Sequence, residues 1–275
     1  MRSGRSRRKP SGRSAADFRF YEELNDFLRP ELRKRTFRHA FNGTPAVKDV
    51  IEAIGVPHAE VDLVLIDGES VGFARRLRDG DRVAVYPVFE RFDIAPLTRL
   101  RPRPLRRPRF VLDVHLGTLA RYLRLLGFDT LYRNDYDDHE IVRLAHDQSR
   151  IILTRDKGLL KHTAVTRGRW IRHTRPIDQL RETLAAFDLA ASARPFTRCA
   201  LCNGGLRRLA RRSVSTLVPA RVRERHDKFA RCTLCGHIYW PGTHTVRLRK
   251  TLQDAATDLL PWPAATTALG EPGCR

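Results

Sequence analysis

The chain of 275 residues carries 52 Lys and Arg against 31 Asp and Glu, a net charge of +21. At roughly 150 residues per domain, this length suits about two compact units, and a hydrophobic fraction of 41% excludes a mainly disordered chain. No stretch approaches the roughly 20 apolar residues of a membrane-spanning helix, which excludes an integral helical membrane protein.

The charge is concentrated in three places. Residues 1–15 hold six basic and no acidic residues, residues 98–109 (TRLRPRPLRRPR) hold six and none, and residues 207–228 hold eight against two. Together they supply 18 of the 21 net charges. The rest is nearly neutral, as expected of balanced folded units with basic attachments. Such attachments suit a polyanion, RNA or DNA rather than a membrane, because no amphipathic helix accompanies them; Arg-rich codon usage with solvated linkers is the alternative. Residues 1–15 lack an apolar segment after their basic residues, so they read as a disordered basic tail and not as a secretory signal.

Residues 16–92 form the first expected domain. Residues 17–21 and 36–41 read as strands that can pair. Thr44-Pro45 fits a helix N-cap with Pro at the first helical position; Val47, Val50, Ile51 and Ile54 then follow at helical spacing, with Gly55 as the stop. Residues 61–66, Asp67-Gly68 and a return through Val71 read as a tight hairpin, and residues 82–88 (RVAVYPV) as a last strand. The result is a small α+β sheet crossed by one helix. At residues 45–49 (PAVKD) and 77–87 (LRDGDRVAVYP) this segment resembles β-grasp, ubiquitin-like domains, and is similar to the sulfur carriers of molybdopterin and thiamine synthesis. Those carriers act through a C-terminal Gly-Gly. Here the strand runs on into residues 88–92 (VFERF), so the resemblance implies docking of a protein partner or structural support, and not carrier chemistry.

Residues 93–109 read as a Pro/Arg linker, and residues 110–190 as an α/β domain. Residues 110–112 form a short apolar strand ending at Asp113. Leu116, Leu119, Ala120, Leu123 and Leu126 make a helical stripe closed by Gly127. Residues 130–132 are a second strand, Asp137/Asp138 opens a helix with Ile141, Leu144 and Ala145 on its core face, and residues 151–153 are a third strand. A short helix passes through Leu159 and Leu160, residues 170–171 are a fourth strand and residues 176–187 a last helix. This alternation implies a parallel sheet covered on both faces.

Ligands bind outside the carboxyl ends of such strands. Asp113 follows the first strand, Asp156 the third, and Asp138, with Asp135 and Asp137 beside it, opens the helix leading to the third. Carboxylates gathered on one edge repel unless a cation neutralises them, and with water they are the usual ligands of Mg²⁺ and Mn²⁺. The competing reading gives each Asp only a capping or turn role. Arg121, Arg124, Arg155 and Lys157 either meet phosphates or solvate outer faces, and Thr154 carries a hydroxyl able to orient a metal or its water. His115 and His139 read as exposed polar residues.

Residues 110–129 (FVLDVHLGTLARYLRLLGFD), with residues 154–160 (TRDKGLL), resemble the Mut-7 C-terminal RNase domain, a PIN-like nuclease family. Together with its zinc-ribbon end the resemblance spans residues 110 to about 250, and the ubiquitin-like segment is a known N-terminal companion. It implies catalytic acidic residues at Asp113, Asp138 and Asp156 that bind Mg²⁺ or Mn²⁺, with Asp137, Thr154, Arg121 and Arg155 as possible support. A further acidic position of such nucleases has only Asp137 and Glu140 as candidates, which leaves one or two metals open.

Residues 196–248 are framed by Cys199-x-x-Cys202 and Cys232-x-x-Cys235. Two such knuckles complete a closed tetrahedral Cys₄ site, so the expected ion is structural Zn²⁺. The pattern suits a reducing compartment, hence a cytoplasmic protein. The basic insert 207–228 lies within this module, as expected if it grips nucleic acid. Tyr239 and Trp240 either stack on bases or fill the ribbon's core. Residues 249–275 read as a flexible tail. The expectation is therefore a multidomain α+β and α/β protein: β-grasp domain, PIN-like parallel-sheet domain and Cys₄ zinc ribbon. Its expected activity is metal-dependent cleavage of RNA phosphodiesters. The alternative is a non-catalytic RNA-binding adaptor with a vestigial nuclease fold.

Overall fold

Alternation along residues 14–20 decides the first strand, because every second side chain enters one face. The computed structural model describes residues 13–87, 100, 108–189, 192–214 and 217–256. Most of the expected basic tail, linker and terminal tail, with Cys274, lies outside the described residues. The chain divides into two compact units, residues 1–104 and 105–275.

In the first unit, β1 (Ser14–Phe20) buries Ala16, Phe18 and Phe20 and pairs antiparallel with β2 (Phe37–Phe41). It begins inside the segment expected to be a disordered tail, since Ser14 and Ala15 pair with Phe41 and Ala40. Then come α1 (Val47–Ile54), β3 (Val61–Ile66), β4 (Glu69–Ser70) and β5 (Arg82–Pro87). The sheet order is β2-β1-β5-β3-β4, with β1 and β5 parallel and the other pairs antiparallel. Val47, Val50 and Ile51 of α1 pack on its inner face with Phe18, Val64 and Val85. This is the β-grasp, ubiquitin-like arrangement. Asp67 and Gly68 both have positive φ, +52° and +87°, as a two-residue type I′ hairpin demands. The helix starts later than Thr44-Pro45 implies. Its N-cap is Ala46, with no side-chain cap, because Pro45 and Ala46 are engaged elsewhere: the Pro45 carbonyl accepts from Leu77 N–H at 2.9 Å and Ala46 bridges to Arg76.

The second unit opens with β6 (Phe110–Leu112), α2 (Gly117–Leu125), β7 (Thr130–Leu131), α3 (Asp138–Asp147), β8 (Ile151–Thr154), β9 (Gly168–Trp170) and α4 (Pro176–Ala186). All four strands are parallel, in the order β7-β6-β8-β9. The fourth strand ends one residue early: Ile171 leaves the ladder, its N–H still bonded to the Thr154 carbonyl at 2.7 Å, and is buried in the core. A three-stranded antiparallel ribbon follows, β10 (Leu206–Leu209), β11 (Phe229–Cys232) and β12 (Ile238–Tyr239), with α5 (Ala220–Arg225) between the first two strands. The tail expected from residue 249 is helical as far as 256. α6 (Thr243–Ala256) packs on α4 and sinks Leu252, with Leu248 one turn earlier, into the core of the parallel sheet. Among the described residues no helix is long and apolar enough to cross a membrane.

Candidate functional site

β6 and β8 are neighbours in register, Leu112 opposite Leu153, so the residues just past them meet at the carboxyl edge of the sheet. Asp113 is buried there and does not cap the short helical turn it precedes. Instead, the buried Thr154 hydroxyl donates to Asp113 Oδ2 at 2.8 Å and accepts from Asp156 N–H at 2.8 Å. One hydroxyl thus spans two of the three acidic positions. Asp156 is exposed, and its Oδ1 accepts from Gly158 N–H at 2.7 Å. Among the described residues, Asp113 Oδ1 and Asp156 Oδ2 take no hydrogen bond.

Asp138 is not joined to that pair. It is exposed at the first position of α3, and the cap is Asp137, which accepts from Glu140 N–H at 2.7 Å. The start of α3 does face the loop after β8, for the His139 ring lies edge-on to His162 at 6.3 Å. Asp135 is tied to Arg133 at 2.5 Å, and this hydrogen bond holds its carboxyl below the usual carboxylate range. Among the described residues, the four cysteines are the one group of His, Cys, Asp or Glu close enough together to hold a metal ion.

The basic residues divide. Arg121 is exposed. Arg155 is half-buried and spends its guanidinium on the carbonyls of Ile171, Arg172 and His173 at 3.2, 3.1 and 2.5 Å. Lys157 lies over the Trp170 ring at 3.8 Å, and Arg172 at 5.2 Å from its centroid. The sequence offered no signal for Glu182, a buried carboxylate on α4 that takes the N–H groups of Arg172 and His173 and the His173 ring at 2.9 Å. It anchors the loop that clamps Arg155.

Arg124 is neither a phosphate ligand nor a solvated residue. It is buried, and donates to the carbonyls of Thr130 (2.9 Å), Tyr132 (3.2 Å), Ala200 (3.2 Å) and Leu201 (2.8 Å). Burial lowers its pKa. It ties α2 and β7 to the first cysteine knuckle, and the Tyr132 hydroxyl continues the connection to the Val114 carbonyl, next to Asp113, at 3.0 Å. Asn203 repeats the tie: it accepts from Thr130 N–H at 3.0 Å and donates to Asp129 at 2.8 Å. Burial opposes the Asp129 charge, but hydrogen bonds from Arg150 and Asn203 and the charges of Arg150 and Arg198 outweigh it and hold the carboxyl below its usual range.

The four cysteine sulfurs lie within 4.8 Å of one another, a set that could hold a zinc ion, as expected for a tetrahedral thiolate site. Burial opposes ionisation of Cys232, yet the N–H groups of Cys235 and Leu234 and the adjoining thiols bring it down to about 7, while burial pushes Cys202 up to about 12. Gly204 is required here, since a Cβ on it would stand 2.8 Å from Cys232 Sγ. The Tyr239 hydroxyl contacts Cys199 Sγ at 3.1 Å and accepts from Ala200 N–H at 3.1 Å. Tyr239 therefore supports the knuckle and is not a platform for bases, and Trp240 packs with Val214, Val218 and Phe229 in the ribbon's small core.

Two family models match: the Mut7-C RNAse domain over residues 108–252 and the Mut7-C ubiquitin domain over residues 13–93. Two crystal structures of small archaeal modifier protein 1 from Haloferax volcanii are similar to 28% of this chain at 19% identity and a TM-score of 0.23, covering 99% and 97% of their own chains. No curated protein matches.

Proposed function

The chain belongs to the Mut7-C RNAse domain family, and from that membership we propose that it is a metal-dependent ribonuclease whose centre is the carboxyl edge of the parallel sheet. The observation that carries this is the Thr154 hydroxyl, which joins the Asp113 carboxylate to the Asp156 backbone N–H; with Gly158 N–H on Asp156 Oδ1, one oxygen of each carboxylate is left without a hydrogen bond among the described residues. Asp113, Asp156 and, from α3, Asp138 would hold the ion, and the donor set of carboxylates suits Mg²⁺ or Mn²⁺. Such an ion supplies an activated water and neutralises charge on the phosphodiester. The chain's own residues do the rest. Thr154 keeps Asp113 aimed, Asp137 caps α3 so that Asp138 stands at its start, and Arg121 and Lys157 meet backbone phosphates. Arg155 acts indirectly, holding the loop beside Asp156. Zn²⁺ on Cys199, Cys202, Cys232 and Cys235 has a structural role, because four thiolates leave no open position.

In this reading the first domain starts at Ser14 and the C-terminal module runs through α6 to residue 256, the basic segments and ribbon hold RNA, the ubiquitin-like domain docks a protein partner, and the protein is cytoplasmic. The exposed, separate position of Asp138 favours one competitor, an RNA-binding adaptor that does not cleave. The test is incubation of the zinc-loaded protein and its Asp113→Asn variant with labelled single-stranded and structured RNAs, with Mn²⁺ or with EDTA. The expected result is cleavage by the parent with Mn²⁺ alone. Cleavage that survives both EDTA and the substitution sinks the metal-nuclease reading, and intact RNA shifted on a gel supports the adaptor.

A further inference from the structure

The two zinc knuckles carry leucine at the same place, Cys-Ala-Leu201-Cys and Cys-Thr-Leu234-Cys. A leucine so placed can turn inward and help fill a small core. Neither does: Leu201 is 57% exposed and Leu234 75% exposed, and they are two of the four large apolar side chains left exposed among the described residues. The backbone of both knuckles is hydrogen-bonded, the first by Arg124 on the Ala200 and Leu201 carbonyls and by Tyr239 on Ala200 N–H, the second by Leu234 and Cys235 N–H groups on Cys232 Sγ. Leu234 also leans onto the first knuckle: its Cγ would be 2.9 Å from a Cβ on Gly204. Each knuckle of the cysteine cluster therefore presents an exposed leucine at its tip.

The charge around the tip is equally unusual. Arg207 on β10 and Arg231 on β11 stand directly opposite each other in the ribbon. Like charges so paired destabilise a sheet. Among the described residues neither has an acidic partner, nor does the neighbouring Arg208, and all three are exposed. Asp227, the acidic residue that closes this insert, is spent on Arg211 at 3.0 Å. The Arg231 guanidinium lies beside Gly236 of the second knuckle, 3.4 Å from where a Cβ would stand, so positive charge adjoins the apolar tip. A polyanion would relieve the repulsion, and one that also offers apolar flat faces would cover the leucines.

We propose that the knuckle tip is a binding site for unpaired RNA, with Leu201 and Leu234 against base faces and Arg207 and Arg231 on the adjacent phosphates. A fully paired helix satisfies the charges but keeps its base faces stacked, so the site selects single-stranded segments. This deepens the RNA-directed reading above and rests on it for the choice of RNA over an acidic protein.

The experiment measures binding of fluorescein-labelled oligouridylate, a blunt-ended RNA duplex and polyglutamate by the zinc-loaded full chain in Mn²⁺-free buffer. Two double variants are compared with the parent, Leu201→Ser/Leu234→Ser and Arg207→Gln/Arg231→Gln. Melting temperature and zinc content check the fold of each. The leucine variant is expected to bind oligouridylate about tenfold more weakly, the worth of one buried leucine, with its salt dependence and its duplex affinity unchanged. The arginine variant is expected to weaken both RNAs and to lower the single-strand salt slope by about 1.4, at about 0.7 per phosphate contact. Unchanged oligouridylate affinity in the leucine variant overturns the proposal, as does a parent that binds polyglutamate as tightly as RNA through the same leucines. Cleavage with Mn²⁺ is assayed in parallel. A parent that binds through the tip but never cuts removes the nuclease reading alone, and a parent that cuts without using the leucines removes this site alone.

Discussion

The cysteine cluster and the carboxylate edge sit in the same unit and are assembled in opposite ways. Each knuckle is a local turn, its two cysteines separated by two residues, and four sulfurs converge within 4.8 Å. Asp113 and Asp156 are remote in sequence and meet because β6 and β8 run parallel in register. What links them is not charge but one buried hydroxyl. The first centre is a property of spacing, the second of topology. Arg124 connects the first knuckle through Tyr132 to the Val114 carbonyl beside Asp113, whereas Asn203 ties the knuckle to the amino end of β7.

If the thiol centre supports the sheet, its loss has the largest effect. Structural zinc sites contribute about 10–16 kcal/mol of binding free energy to folding, so Cys199→Ser, or chelation, is expected to unfold the ribbon. Hydrogen exchange would then show lost protection in β10–β12, and at Thr130 through Asn203, while β1–β5 keep theirs. Unchanged exchange at Thr130 would mean that the ribbon does not support the sheet. Next comes Asp113→Asn. Its metal-dependent cleavage is expected to fall by about 100-fold or more, the scale on which electrostatic groups at a reacting centre act, with the melting temperature nearly unchanged because the amide oxygen still accepts from Thr154.

Thr154→Val tests the hydroxyl itself. Supporting bonds to metal ligands are worth about 10–100-fold in activity, and stranding a buried acceptor costs about 1–3 kcal/mol. Thr154→Ser should recover most of both in a cleavage assay and a denaturation curve; a Val variant equal to the parent would mean the spanning bond organises nothing. The smallest effect concerns Asp129, whose lowered pKa makes its contribution present above the unfolded carboxylate pKa of about 3.9 and lost as pH falls from there toward the folded value. The stability gap between parent and Asp129→Asn should therefore be constant near neutrality and close below about pH 4, read as melting temperature against pH. A gap that widens in acid would contradict the assigned partners.

Much of the fold is legible in residue order. The two-residue turn at Asp67-Gly68, the leucine stripe of α2 and the three short strands before Asp113, Asp137 and Asp156 all arise from interactions within a few residues, which period and turn chemistry report. The misreadings share one cause. Thr44-Pro45 looks like a cap, but Leu77 and Arg76 occupy its backbone. Residues 14–15 and 249–256 look like tail, but β2 pairs with the first and the α4 side of the core takes Leu252 from the second. Arg124 looks like surface charge, but it is buried on four carbonyls, two of them, Ala200 and Leu201, far along the chain.

Residue spacing alone determined that four thiols would converge, that an α/β unit would follow a small α+β sheet crossed by one helix, and that acidic residues would stand after the first and third strands. Those features depend on short-range geometry, which neighbouring residues encode. Only the tertiary structure decided that the Thr154 hydroxyl would join the Asp113 carboxylate to the Asp156 backbone while Asp138 stayed apart, that Arg124 would serve the knuckle, and that Leu201 and Leu234 would be left facing outward beside opposed arginines. Those depend on which segments pack together, and no single stretch of chain carries that.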